Sequence, residues 1–115
     1  MRLSTGFDID HCIPFAAWPC DDLWNLMPAS RKVNLRKRDR LPSAAAIDES
    51  ADRILSWWEH AYVARDAYSR RFTLEAGASL PIAADPDADL PTILNGLQAR
   101  RLTIRANHAI SEWAP

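Results

Sequence analysis

The pattern of apolar and polar positions predicts a short β segment followed by helices. Residues 5–13 alternate loosely between apolar and polar side chains up to Pro14, which predicts a short strand that stops at or just beyond His11. A second strand, antiparallel to the first, is predicted through residues 23–27 and is ended by Pro28. Residues 15–22 are predicted to form an irregular loop between the two strands.

A helix is predicted to follow the second strand. Ser30 is a suitable N-cap residue for a helix over residues 31–40. Leu41 precedes Pro42, and a residue before proline is disfavoured in the helical conformation, so the helix should close there.

The chain from residue 43 onward is predicted to be mostly helical. Ser43 and Ser50 are alternative starting points for a helix that either continues or breaks and restarts before ending near Gly77. Its apolar residues share one stripe, as expected of a helix that packs on a core. The members of this stripe are Ile47, Ile54, Leu55, Trp58, Ala61 and Tyr62.

A segment rich in Pro and Asp at residues 81–91 is predicted to be a linker, and a last helix is predicted over residues 92–113. A chain of 115 residues is one domain by length, or one small domain with an appendage. The predicted fold class is therefore α+β. It consists of a small core at residues 1–42 and a helical extension at residues 43–115 that packs on the core.

Composition indicates a folded protein that needs neither disulfides nor zinc. Apolar residues make up 48% of the chain and five residues are Trp, which is enough for a hydrophobic core. Cys12 and Cys20 do not form a CxxC pair, so no structural zinc is expected. No apolar run of spanning length and no secretory leader is present, which predicts a cytoplasmic protein with no membrane partner.

Positive charge is concentrated in one short stretch, although the net charge of the chain is only −1. Six of the fourteen basic residues lie within residues 31–40, a cluster typical of a phosphate-binding surface. A solvated helix face is the alternative interpretation, and the position of the cluster directly behind the acidic and histidine residues favours phosphate binding. The cluster comprises Arg31, Lys32, Arg36, Lys37, Arg38 and Arg40.

Four residues in the first third of the chain have the chemistry needed to hydrolyse a phosphodiester. Asp10 and Asn34 offer oxygen ligands that suit a hard cation such as Mg²⁺ or Mn²⁺. Imidazole changes charge near neutral pH, so His11 can take a proton from water. Asn25 lies in an apolar segment, where a buried amide must find hydrogen-bond partners and can tie a loop in place.

Residues 7–43 resemble an HNH nuclease module, the ββα-metal or His-Me finger. The similarity is closest to the variant whose third motif position is Asn, as in the HNH domains of RNA-guided CRISPR effector nucleases. The motif consists of Asp10-His11 followed by Pro14, Asn25-Leu26 with Pro28, and Asn34, Lys37 and Pro42 in that order.

This resemblance implies a ββα core and a metal-dependent endonuclease that acts on DNA, expected to be double-stranded. By the resemblance, Asp10 and Asn34 bind Mg²⁺ or another divalent ion, and His11 is the general base. Asn25 ties the loop and orients that base, and Lys37 lies near the scissile phosphate. The other basic residues of the cluster bind flanking phosphates. The third motif position is more often His in the family, and the zinc-binding Cys pairs of many members are missing here.

Two other functions remain open. The same fold can hold nucleic acid without cutting it, as a remnant or subunit of a larger nuclease. Alternatively, residues 43–115 form a helical module for protein interaction. No target-recognition element is identifiable in the sequence, so a protein partner is expected to supply specificity.

Overall fold

The fold begins with two antiparallel strands. The computed structural model describes residues 7–15, 17–30, 40–81, 88–108 and 111–114. Strand β1 (Phe7–His11) pairs with β2 (Leu26–Ser30), and Ile9 lies opposite Pro28. Pro28 therefore lies inside β2 and does not end it. In a two-stranded sheet both strands are edges, and a residue without an N–H group is tolerated there.

The second strand also starts later than predicted. Leu23–Asn25 form a single 3₁₀ turn in which the Asn25 amide donates to the Asp22 carbonyl at 2.9 Å. All three residues of the turn are buried. A strand with one solvent face would expose the middle residue, because successive side chains of a strand point to opposite faces. The tight turn instead directs all three toward the core.

Helices α1 (Ala44–Glu49) and α2 (Ala51–Trp57) follow in close succession. Both predicted start points are used: the Ser43 hydroxyl accepts from the Ala46 amide at 3.0 Å, and Ser50 lies between the two helices. The chain continues from α2 into a π-helical segment at Trp58–Val63, whose wider turn is visible in the 2.8 Å bond from the Ala64 amide to the Glu59 carbonyl.

Helices α3 (Asp66–Ser79) and α4 (Leu90–His108) complete the helical part. The start of α4 precedes the predicted residue 92, because the Asp89 carboxylate accepts from the Thr92 amide at 2.9 Å and thereby caps the helix. This hydrogen bond also lowers the pKa of Asp89. The predicted linker at residues 81–91 lies largely outside the described residues, as does the helix predicted over residues 31–40.

The last helix does not extend to residue 113 as predicted. It ends at His108, and Glu112–Trp113 form a strand, β4, which pairs in parallel with β3 (Leu41–Pro42). The Glu112 carboxylate accepts from Arg101 and from Arg105, each at 2.7 Å. These ion pairs join β4 to α4, while the pairing of β4 with β3 is a long-range contact that helical periodicity does not reveal.

The core is built from aromatic side chains of both the strand segment and the helices. Trp24, Trp58 and Phe72 are fully buried, and the Trp58 indole donates to the Trp24 carbonyl at 3.1 Å. Tyr62 stacks on Phe72 and donates its hydroxyl proton to the Leu26 carbonyl at 2.7 Å. The α+β fold class is confirmed, with helices from residue 44 onward packed on the strand segment.

The division into a core at residues 1–42 and an extension at residues 43–115 stays a prediction. Among the described helices, none is both long enough and apolar enough to cross a lipid bilayer.

Candidate active site

Asp10 and His11 meet at the end of β1, although neighbouring strand residues normally point to opposite faces. The Asp10 carboxylate oxygen Oδ1 accepts from the backbone amide of His11 at 2.8 Å. The same oxygen lies 3.6 Å from Nδ1 of the His11 ring. The Asp10 side chain therefore bends forward, toward the following residue, so that its carboxylate and the imidazole lie on the same side of the strand end.

The other ring nitrogen of His11 contacts a residue from the loop. Nε2 lies 2.6 Å from Oδ1 of Asp21. An ionised carboxylate only accepts hydrogen bonds, so Nε2 carries the proton in the neutral ring. Nδ1 then holds the lone pair, on the side that faces Asp10. The His11 side chain is 24% exposed, which leaves the ring accessible to water.

Asn25 is a buried residue whose side chain fixes the loop between the two strands by hydrogen bonds. It is completely inaccessible to solvent, and its side-chain oxygen accepts from the Ile13 amide at 2.8 Å. Its amide nitrogen donates to the Ile13 carbonyl at 3.1 Å and to the Cys20 carbonyl at 3.0 Å. Asn25 thus holds the backbone two residues beyond His11 and the backbone next to Asp21, but these bonds do not include the imidazole.

Helix α3 holds the same loop from outside. The Glu75 carboxylate accepts from the Leu23 amide at 2.8 Å, and the Ser79 hydroxyl donates to Asp22 at 2.6 Å. The Asp22 carboxylate also accepts from the Trp24 indole at 3.0 Å. These polar contacts connect the helical part of the chain directly to the loop that contributes to the candidate site.

The two cysteines near the site are buried and form no disulfide. Burial raises the pKa of the Cys20 thiol to about 11. A protonated thiol is a poor metal ligand and a poor nucleophile, because both functions need the thiolate. A thiol that stays protonated near neutral pH is therefore a poor candidate for metal binding or nucleophilic attack at this site.

The predicted site residues fall into two groups. Asp10, His11 and Asn25 lie in the described segment around the loop. Arg40 is described and exposed, at the start of the chain that leads into β3. The remaining predicted residues lie outside the described residues; they are Arg31, Lys32, Asn34, Arg36, Lys37 and Arg38.

Of the two predicted metal ligands, Asp10 lies within the described ranges and Asn34 does not. No group of three or more His, Cys, Asp or Glu residues with metal-binding geometry occurs within those ranges. The Asp10 side chain is 37% exposed, so a hydrated ion can reach its carboxylate. Mg²⁺ retains several waters and commonly takes only one or two protein carboxylates, which fits a site built on Asp10 with a further oxygen ligand.

Sequence reasoning missed two residues that contact His11. One is Asp21, which the sequence places only in an irregular loop. The other is Phe15, which is 51% exposed and has its ring 5.5 Å from the imidazole. The only local signal for Asp21 is an acidic pair at residues 21–22, and its approach to His11 depends on how the loop is tied.

Residues 2–43 match the family model for HNH endonucleases. No curated protein and no solved structure gives a match. The matched residues coincide with the segment whose motif resembles that family, so the resemblance is confirmed for this part of the chain. The match indicates a nuclease-type or nucleic-acid-binding function for the segment.

Proposed function

We propose that this protein is a metal-dependent endonuclease that hydrolyses phosphodiester bonds in double-stranded DNA. The observation that carries the proposal is the His11 imidazole, held by Asp21 with its Nδ1 facing Asp10, inside a segment that matches HNH endonucleases. A ring fixed in this way has its basic nitrogen beside a carboxylate suited to a hard cation.

His11 acts as the general base in the proposed reaction. Nδ1 takes a proton from water, whose oxygen attacks phosphorus while the bond from phosphorus to the 3′-oxygen breaks. The departing 3′-oxygen takes a proton from a solvent water, so the products are a 5′-phosphate and a 3′-hydroxyl, and the proton on the imidazole later returns to solvent. Asn25 supports this step by fixing the backbone on either side of the loop.

Asp10 and Asn34 are the proposed ligands of the divalent ion, with Mg²⁺ preferred and Mn²⁺ as an alternative. The bound ion would stabilise the negative charge that develops on the phosphate and on the departing oxygen. Asn34 offers one neutral oxygen, which favours hard ions over softer ones.

Lys37 is proposed to lie near the scissile phosphate, and the rest of the basic cluster is proposed to bind flanking phosphates. Arg36, Lys37 and Arg38 can be replaced together with Ala. The slope of log binding constant against log salt concentration for duplex DNA should then become shallower by up to about 0.9 for each phosphate that the variant no longer binds. The matched control is the triple replacement of Arg53, Arg65 and Arg70, which should leave the slope unchanged. Equal slopes in the two triple variants would contradict the proposed role of the cluster.

The proposal is tested by incubating the full chain with supercoiled plasmid and Mg²⁺ or Mn²⁺. We expect conversion to nicked or linear DNA that a chelator abolishes. His11→Ala should slow this conversion by about 10²–10⁴-fold, the usual contribution of a general base. Asp10→Ala should abolish cleavage and retain binding to DNA at low salt.

His60→Ala is the matched control, because His60 is exposed and its ring contacts Ser56, which lies four residues earlier in the chain. It should cleave at the parent rate. Binding without cleavage under all metal conditions would contradict the enzyme and favour a non-cleaving nucleic-acid module. Cleavage by His11→Ala at the parent rate would remove His11 from the mechanism. A protein partner for target selection and a cytoplasmic location stay predictions.

A further inference from the structure

We propose that Asp21 is a positioning residue that holds the His11 ring in a single tautomer and orientation. The inference rests on the proposed function and adds a residue to it. Its basis is the 2.6 Å distance between Nε2 of His11 and Oδ1 of Asp21. Because the carboxylate can only accept, it fixes the ring proton on Nε2 and directs the lone pair of Nδ1 toward Asp10.

The position of Asp21 is unusual for a surface acid, because its neighbours on both sides are fixed. Its side chain is 73% exposed, yet the preceding Cys20 carbonyl accepts from the buried Asn25 amide. The following residue, Asp22, accepts from the Ser79 hydroxyl on α3 and from the Trp24 indole. Because the backbone is fixed on both sides of Asp21, its exposed carboxylate is preorganised to accept a hydrogen bond from the ring N–H.

Two other described neighbours of the His11 ring, Phe15 and Asp10, do not select a tautomer. The Phe15 ring lies 5.5 Å away at an interplanar angle of 57°, which restricts the tilt of the imidazole and offers no acceptor to either nitrogen. Asp10 accepts from the backbone amide of His11 at 2.8 Å, while the ring nitrogen is more distant at 3.6 Å. Among these three neighbours, Asp21 makes the only contact of hydrogen-bond length to a ring nitrogen.

An exposed polar contact of this kind contributes little to stability, so its effect should be kinetic and spectroscopic. Asp21→Ala should lower kcat by about 10–100-fold, by analogy with the loss of partners that orient metal-bound histidines, and leave KM unchanged. In the His11→Ala background the same change should add no further loss, because Asp21 acts only through that ring. Asp21→Asn keeps an acceptor oxygen and should lose less than Asp21→Ala.

The decisive test is a nitrogen-15 NMR spectrum of the His11 ring at alkaline pH, where a free imidazole is neutral. We expect the Nε2–H tautomer alone in the parent protein and averaged ring shifts from both tautomers in Asp21→Ala. Asp52→Ala, an exposed acid on α2, is the control and should give the parent spectrum.

The spectrum separates this inference from the proposed function. A parent-like spectrum in Asp21→Ala, or an Nδ1–H tautomer in the parent, would overturn the role of Asp21 even if the protein cleaves DNA. The expected spectra from a protein that never cleaves DNA would uphold the positioning contact and overturn the nuclease. Equal loss of kcat from Asp21→Ala in both the parent and the His11→Ala backgrounds would show that Asp21 does not act through His11.

Discussion

Replacing Asn25 with Ala removes the side chain that ties the loop of the candidate site. The amide makes three hydrogen bonds, one from the Ile13 amide and two to the carbonyls of Ile13 and Cys20. Asn25 is completely buried, so the variant leaves three backbone groups without their partner in a place that water does not normally reach. The change therefore combines the loss of hydrogen bonds with desolvated polar groups.

Each buried polar group left unsatisfied costs about 1–3 kcal/mol. Water entering the space vacated by the amide satisfies part of this demand, so we expect Asn25→Ala to lower the free energy of unfolding by about 3–5 kcal/mol. That is a large share of the roughly 5–15 kcal/mol that stabilises a typical domain. The assay is equilibrium urea unfolding followed by tryptophan fluorescence, with the slope against urea checked for constancy.

Asn95→Ala is the matched control, since Asn95 is exposed on α4. It should change the free energy of unfolding by no more than about 0.5 kcal/mol. A loss below about 1 kcal/mol in Asn25→Ala would refute the argument, because a single unsatisfied buried group already costs that much. The same result would mean that the loop keeps its shape without the amide.

Two further stability predictions concern the packing around this loop. Tyr62→Phe should lose about 0.5–1.5 kcal/mol in the same assay, because the Leu26 carbonyl keeps its bond from Trp57, and the exposed Tyr68→Phe should lose nothing measurable. Equal losses in the two Tyr variants would contradict this. Burial raises the pKa of Cys20 from 9.0 to about 11, so the folded state keeps the proton longer than the unfolded state and stability should fall as pH rises through this window. After allowance for solvent screening at the loop, the free energy of unfolding of the parent protein should fall by about 1–2 kcal/mol more than that of Cys20→Ala across this pH window. Parallel curves of stability against pH for the two proteins would contradict this prediction.

Local patterns in the sequence predict the elements whose causes are local. Ser43 caps a helix as its side chain predicts, and the stripe that contains Trp58 faces the core. The pairing of the two strands also follows from the pattern. The prediction that Pro28 ends the second strand is wrong. Proline is tolerated inside an edge strand, and the local sequence does not show that this sheet has only two strands, both of them edges. The motif predicts that Asp10 and His11 serve one site, and their side chains lie together at the end of β1.

Contacts between distant parts of the chain are not predictable from these patterns. Glu75 and Ser79 lie on a helix whose period does not show that they hold the loop at residues 22–23. Strand β4 is held by backbone hydrogen bonds to the segment around β3 and by ion pairs from Glu112 to two arginines of the preceding helix, and helical periodicity reveals neither. The contact of Asp21 with His11 depends on both the loop geometry and the anchoring of the residues beside Asp21.

The most direct test of the central claim is a titration of the full chain with Mn²⁺, in which the unbound ion is counted by electron paramagnetic resonance. We expect one site per chain, and Asp10→Ala and Asn34→Ala should each weaken it by at least about 10-fold, the smallest effect typical even of outer-shell partners of a metal. Asp52→Ala should bind Mn²⁺ like the parent protein. Unchanged affinity in Asp10→Ala would contradict the claim that Asp10 holds the ion beside His11.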